Sequence, residues 1–177
     1  GLISIALLVF TNALTLKISL IFALLITLYP LTKRFFPAPQ FILGITFGSG
    51  SLIAYSLQSD IFSSSLVILY LGIVAWIIGF DTLYALEDKD DDIKININST
   101  AILWGDNAIK YAQILHLIFF ASLLIIAALN QFSYYFLFVF IGQMILYFYK
   151  KSLTRKLKFL QAFKVNNWIG IIAVTGF

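Results

Sequence analysis

The sequence contains no cysteine, which excludes disulfides and thiolate metal centres. It has one histidine, His116, so a multi-histidine metal site is excluded as well. Charge is scarce: 11% of the 177 residues are Asp, Glu, Lys or Arg, where a soluble domain has about 25%. Proline is nearly absent, and Pro30, Pro37 and Pro39 stand close together. What remains is 61% hydrophobic with a mean hydropathy of +0.97, the composition of an integral membrane protein.

Seven apolar segments are expected, at about 2–16, 18–32, 41–57, 64–80, 108–129, 132–149 and 167–177. The first and last are short for a span of about 20 residues. The first also lacks the basic start and small-residue cleavage pattern of a signal peptide. Both edges read as cut, so the chain is expected to be a piece of a longer protein. Asn12, Thr15 and Lys17 interrupt the apolarity, which favours two short helices turning near Thr15–Lys17. The three prolines suggest a helix end and an extended turn before Gln40. Gly44, Gly48 and Gly50 would let a helix or a lipid chain come close.

Alternating these segments across a bilayer sorts the cations. Lys33, Arg34, Lys89, Lys94, Lys110, Lys150, Lys151, Arg155, Lys156, Lys158 and Lys164 fall on one side, and only Lys17 on the other. That bias marks the cytoplasmic or matrix side. Topology accounts for the net charge of +4 without a nucleic-acid partner. The basic stretch Lys150–Lys164 reads as a segment on the membrane surface, or as a topology signal. His116, inside an apolar run, is expected to bond a neighbouring helix.

Six of the eight acids lie in DTLYALEDKDDD, residues 81–92. Taken as one helix at about 100° per residue, Asp81, Asp88 and Asp92 share a narrow arc, with Tyr84 and Ala85 on the same face. Asp91 lies at the edge of that arc, Asp90 nearly opposite, and Glu87 well off it. Three like charges on one stripe repel, and a divalent cation offsets the repulsion. Mg²⁺ fits where a substrate phosphate completes its shell. A solvated acidic loop at a helix end would show the same residues. Tyr29 and Lys33 share a helix face at i, i+4, with Arg34 beside them, on the membrane side of the acids. Lys33 and Arg34 are placed to take diphosphate oxygens, or to anchor the helix at the interface.

YPLTKR (Tyr29–Arg34), PQFILGITFG (Pro39–Gly48), DTLYALEDKDDD with KININSTAILWG (Lys94–Gly105), and FKVNNWIG (Phe163–Gly170) resemble the UbiA-type membrane prenyltransferases. Within that family the likeness is to the members that prenylate 4-hydroxybenzoate for ubiquinone. The resemblance implies an all-α polytopic bundle, with about seven of nine membrane helices present in one domain, 1–177, cut at both ends. It implies Mg²⁺ held by Asp81, Asp88, Asp91 and Asp92, and diphosphate bound by Lys33 and Arg34. Asp88, Asp92, Lys33 and Tyr29 would be the catalytic set. The partners implied are polyprenyl diphosphate, 4-hydroxybenzoate and the lipid bilayer, in a bacterial inner membrane or a mitochondrial inner membrane. A first motif of the form N-D-x-x-D would precede Gly1, so this chain alone is expected to be inactive. Alternatives are a divalent-cation transporter, against which the near-absence of charge at the segment midpoints weighs, and a noncatalytic membrane protein.

Overall fold

The computed structural model describes Leu8 and residues 10–176, and it is built of helices joined by short turns. The expected segment over 2–16 lies largely outside the described residues. In chain order the helices are α1 (Ala13–Phe35), α2 (Pro39–Ser56), α3 (Ser64–Glu87), α4 (Lys89–Lys94), α5 (Thr100–Trp104), α6 (Ala108–Leu129), α7 (Tyr134–Arg155) and α8 (Phe159–Thr175). A single turn of 3₁₀ helix, Gly105–Asn107, leads into α6. Four stretches are long and apolar enough to cross a membrane: Ala13–Phe35, Ser64–Glu87, Thr100–Leu129 and Tyr134–Arg155. The shorter α2 and α8 pack alongside them.

The start of α1 corrects the expected turn at Thr15–Lys17. Asn12 caps the helix, its side chain accepting from the Thr15 amide at 2.8 Å, so the break falls at Thr11–Asn12. The Thr15 hydroxyl is buried against the Ser56 hydroxyl at 2.8 Å, and the Asn12 side chain donates to the Ser56 carbonyl. The residues that interrupt apolarity thus dock the start of α1 onto the end of α2. Lys17 sits exposed within the helix. The expected helix end and extended turn follow at Phe36, which is extended (φ −103°, ψ 127°), with α1 running through Pro30 to Phe35. A proline removes one ladder bond, and a long apolar helix can absorb that loss. Pro39 begins α2, where its missing N–H costs nothing.

Helix α3 is apolar around its whole circumference and packs against α2, α6 and α8. Lipid tails are as apolar as leucine, so these contacts rest on close backbone approach rather than on hydrophobic transfer. Gly44 and Gly48 of α2 lie against Val74, Ile78 and Tyr70 of α3, whereas Gly50 faces nothing within 4 Å. The tightest fit joins α3 to α6. A Cβ on Gly72 would stand 2.0 Å from the Ser122 hydroxyl oxygen and 2.8 Å from its Cβ, and one on Gly79 would stand 2.8 Å from the His116 ring.

The stretch Lys150–Lys164 spans a helix–turn–helix whose cations Arg155, Lys156, Lys158 and Lys164 are exposed, while Lys150 is buried. It is the end of α7, a tight turn and the first turns of α8. Leu157, at φ 56°, reverses the chain, and the Lys156 and Lys158 amides both donate to the Leu153 carbonyl at 3.0 Å. Leu153 and Thr154 are buried in this turn.

Gly72→Ala should lower the apparent melting temperature of the detergent-solubilised protein by the equivalent of about 1–3 kcal/mol, the usual cost of overpacking. Gly72→Ala with Ser122→Gly should recover most of that loss, and Gly50→Ala should leave melting unchanged.

Candidate functional site

The acidic segment bends where the sequence reading had one straight helix. Helix α3 ends at Glu87, Asp88 (φ −93°, ψ 2°) is the junction, and α4 is a separate short helix. The bend is slight in hydrogen-bonding terms. The Asp88 amide still donates to the Tyr84 carbonyl at 3.4 Å, and the Asp92 amide to the Asp88 carbonyl at 2.9 Å. The acids therefore keep a helical order along one rim while the second half leans away from the first.

Opposite them stands the end of α1. Lys33 lies within electrostatic reach of both Asp81 and Asp92, and Tyr29, one turn earlier, faces Asp81. Backbone bonds hold the arrangement. The Asn98 amide donates to the Lys33 carbonyl at 3.0 Å, and the Ile97 amide to the Asp92 carbonyl at 2.9 Å. The segment after α4 thus ties the cation's helix to the acids' helix. Asn96, at φ 55°, and Gly105, at φ +52° with ψ −126°, give the turns that return the chain to α6.

Each carboxylate meets a different environment. Asp81 is held between Lys33 and the side chain of buried Gln40. Burial pushes the Asp92 carboxyl above the ordinary carboxylate range; Lys33 draws it down, while Asp88 and Asp91 push it up further. Asp88 is reached by the Tyr84 hydroxyl. Asp91 points to solvent and pairs with Lys94 at 2.8 Å, which lowers its pKa through that hydrogen bond. Arg34 and Asp90 are exposed. Lys33, Tyr29, Asp81 and Asp92 therefore share one rim within electrostatic range of one another, Tyr84 lies beside Asp88, and Asp91 turns outward to Lys94.

Among the described residues no group of three carboxylates or histidines forms a complete metal cage. Asp88 and Asp92 lie one helical turn apart, and Mg²⁺ characteristically takes one or two carboxylates while phosphate oxygens and water fill its shell. The hard-oxygen donors here fit that partial role.

Three residues gained parts that spacing alone had not shown. The Gln40 Oε1 accepts from the Thr100 amide at 2.9 Å while its amide group reaches Asp81. Thr100 in turn shares a 2.7 Å hydroxyl contact with Thr82 of α3. Its only sequence signal was a polar residue just inside an apolar helix, after Pro39. Glu87, the residue off the arc, accepts from the Leu160 amide at 3.1 Å and so caps the first turn of α8. Tyr84, placed on the acidic face by spacing, begins a run of rings leading inward. It packs on Phe163 at 5.3 Å, Phe163 on Phe80 at 5.6 Å, and Phe80 on Trp76 at 5.6 Å. Trp76 stacks on Phe119 at 5.0 Å and lines an apolar cavity of about 310 Å³ with Ile73, Leu123 and Gly170.

His116 meets its neighbours mainly by packing, its ring lying against Gly79 of α3 and Tyr147 of α7 with the Asn166 side chain of α8 nearby. Its Nδ1–H donates to the Ala112 carbonyl of its own helix.

Gln40→Leu should strand the Thr100 amide. The cost of a buried unpaired donor, about 1–3 kcal/mol, should appear as a lowered melting temperature, with Gln40→Glu recovering part of it by accepting the same amide.

The match to known proteins agrees with this geometry. A family model described as the UbiA prenyltransferase family matches residues 1–168. A protein named 4-hydroxybenzoate octaprenyltransferase from Francisella tularensis subsp. novicida (strain U112) is 36% identical over 169 residues, covering 92% of this chain and 58% of that protein. One of the same name from Polynucleobacter necessarius subsp. necessarius (strain STIR1) is 35% identical over 162 residues, covering 90% of this chain and 56% of its own length. The chain thus spans a little over half the length of these relatives. The apo structure of a UbiA homolog from Aeropyrum pernix K1 superposes with a TM-score of 0.82 at 20% identity, over 97% of this chain and 66% of that one. With four helices able to cross a bilayer, this is an integral membrane protein, and it belongs to the UbiA prenyltransferase family.

Proposed function

We propose that the whole protein transfers a polyprenyl group from polyprenyl diphosphate to the ring of 4-hydroxybenzoate, a step in ubiquinone biosynthesis. The observation that carries this reading is that Lys33 stands at the same rim of the bundle as Asp81 and Asp92, within electrostatic range of both though not in ion-pair contact. A cation near hard-oxygen donors suits a diphosphate, and relatives 35–36% identical to this chain are named 4-hydroxybenzoate octaprenyltransferase. The chain spans 58% of such a relative, so the activity is proposed for the whole protein. In this proposal the rim faces the cytoplasm across a bacterial inner membrane, or the matrix in a mitochondrion, a reading supported by the bias of Lys and Arg toward one side.

In this reading Lys33 and Arg34 take diphosphate oxygens, and Tyr29 orients the Lys33 end of α1 against Asp81. Of the four carboxylates Asp81, Asp88, Asp91 and Asp92, the pair Asp88 and Asp92 would hold Mg²⁺ with phosphate oxygens and water completing its shell, and the bound ion would offset the negative charge gathering on the leaving diphosphate. The isoprenoid lies along Tyr84, Phe163, Phe80 and Trp76, whose ring faces also favour the positive charge left on the allylic carbon. The allylic C–O bond breaks and its electron pair leaves with the diphosphate. The ring carbon ortho to the phenol hydroxyl then forms the new C–C bond, and loss of its proton restores aromaticity. Fixed charge aimed at the leaving group is the largest contribution. The surrounding apolar helices keep water from capturing the cation.

In the whole protein, Asp88→Ala and Asp92→Ala should each reduce prenyl transfer by about a hundredfold or more, the scale of losing a preorganised charge partner. Exposed Asp90→Ala should stay within a few-fold of the parent. Equal activity of all three in a radiolabelled prenyl-transfer assay would refute the assignment. Lys33→Ala should weaken diphosphate binding more than binding of the aromatic acid, read by separate titrations. Chelation of divalent cations should abolish turnover and added Mg²⁺ should restore it.

A further inference from the structure

Lys150 has no part in the chemistry above, yet it is the most buried cation in the described chain, at 2% exposure. It lies about a turn and a half before the end of α7, at the same end of the bundle as the acidic rim. Its Nζ donates to the Asn166 Oδ1 at 2.9 Å and stands 5.7 Å from the centre of the Tyr147 ring. The Asn166 oxygen is already engaged by the Trp76 indole N–H at 3.2 Å. Among the described residues no carboxylate comes within ion-pair distance of Lys150. A buried ammonium bonded to one shared neutral oxygen leaves donors unused and charge uncompensated, an expensive state in a membrane helix.

The surroundings show what would complete it. A small cavity between α6 and α7, closed by Leu83 of α3 and Ala112, is lined also by Lys150, Lys151, Gln113, His116, Tyr147 and Thr154, with no acid on its wall. Its enclosed part is about 10 Å³, room for one oxygen-sized atom. His116, 1% exposed, presents an Nε2 without a hydrogen-bond partner to this space, its Nδ1–H being spent on Ala112. Helices α6 and α7 pack loosely beside each other, so the mouth opens between them near the polar end of the bundle. Lys151, only partly buried, stands at that mouth.

We propose that this cleft between α6 and α7 is a binding site for a phosphate oxyanion at the membrane surface, with one oxygen seated on Lys150. The remaining oxygens lie at the mouth, within reach of Lys151 and the Gln113 amide, and the His116 Nε2 accepts from a hydroxyl carried by the ligand. The position at the end of two membrane helices favours the headgroup of an anionic phospholipid, since basic clefts at that depth meet lipid phosphate before solute. This site is separate from the diphosphate rim and does not depend on the reaction proposed for it.

The test uses the whole protein in nanodiscs made from an equimolar mixture of phosphatidylcholine and phosphatidylglycerol, with native mass spectrometry of the released complex. The parent should retain phosphatidylglycerol over phosphatidylcholine by about fivefold, the discrimination one lysine gives for anionic lipid. Lys150→Met and, at the mouth, Lys151→Gln should each reduce that preference. Lys151→Gln keeps the test sound if the buried substitution fails to fold. Melting of the parent in neutral detergent with inorganic phosphate forms the second arm. Protection by phosphate that is lost in Lys151→Gln, without any lipid preference, would support the oxyanion site and assign it a soluble ligand. Equal retention of both lipids with no protection by phosphate would overturn the proposal, as would a preference unchanged in both variants.

Discussion

The cost of placing charge in hydrocarbon governs this molecule. Ionised groups are pushed to the helix ends, and alternation of the helices gathers nearly all of them at one end. There the concentration of like charge becomes a second problem. Asp81 and Asp92 lie within electrostatic range of Lys33 of α1, Asp91 pairs with Lys94, and Glu87 is turned to the start of α8. The site is the local solution to charges that the bilayer cannot accept.

Precision at that rim comes from the apolar part below it. Helix α3 carries Asp81 and leads to Asp88, and it is seated by glycines that allow α2 and α6 to approach its backbone. Small residues at such interfaces replace the hydrophobic transfer that a soluble core would use. The polar links are few and buried: Gln40 to Thr100, Thr82 to Thr100, Thr15 to Ser56, and Asn166 to both Trp76 and Lys150. In a medium without water each must be satisfied within the protein, so each also fixes the relative position of two elements. The same medium makes the incomplete satisfaction of Lys150 the most informative exception.

The aromatic run from Tyr84 to Trp76 connects these two levels. It starts at the carboxylate rim and ends at an apolar cavity. A substrate with a charged head and a long apolar tail needs both ends in that order. The reading of function rests on this polarity together with the family to which the chain belongs.

The sequence by itself determined the class of protein, the helix from 108 to 129, the start of α3 at Ser64, and the two motifs that meet at the rim. Composition and helical period are local properties, and in a membrane they leave few alternatives. It could not determine where α1 begins, because Asn12 and Thr15 look the same whether they break a helix or cap and dock one. Nor could it show that Lys150 is buried or that Glu87 caps α8, since a run of basic residues, or an acid off the arc, carries no mark of the partner it will meet. The bend at Asp88 lay beyond it too, because a periodicity calculation assumes the straight helix it then measures. Only the packed bundle decided these, through contacts between residues far apart in the chain, where each polar group took the partner its depth allowed.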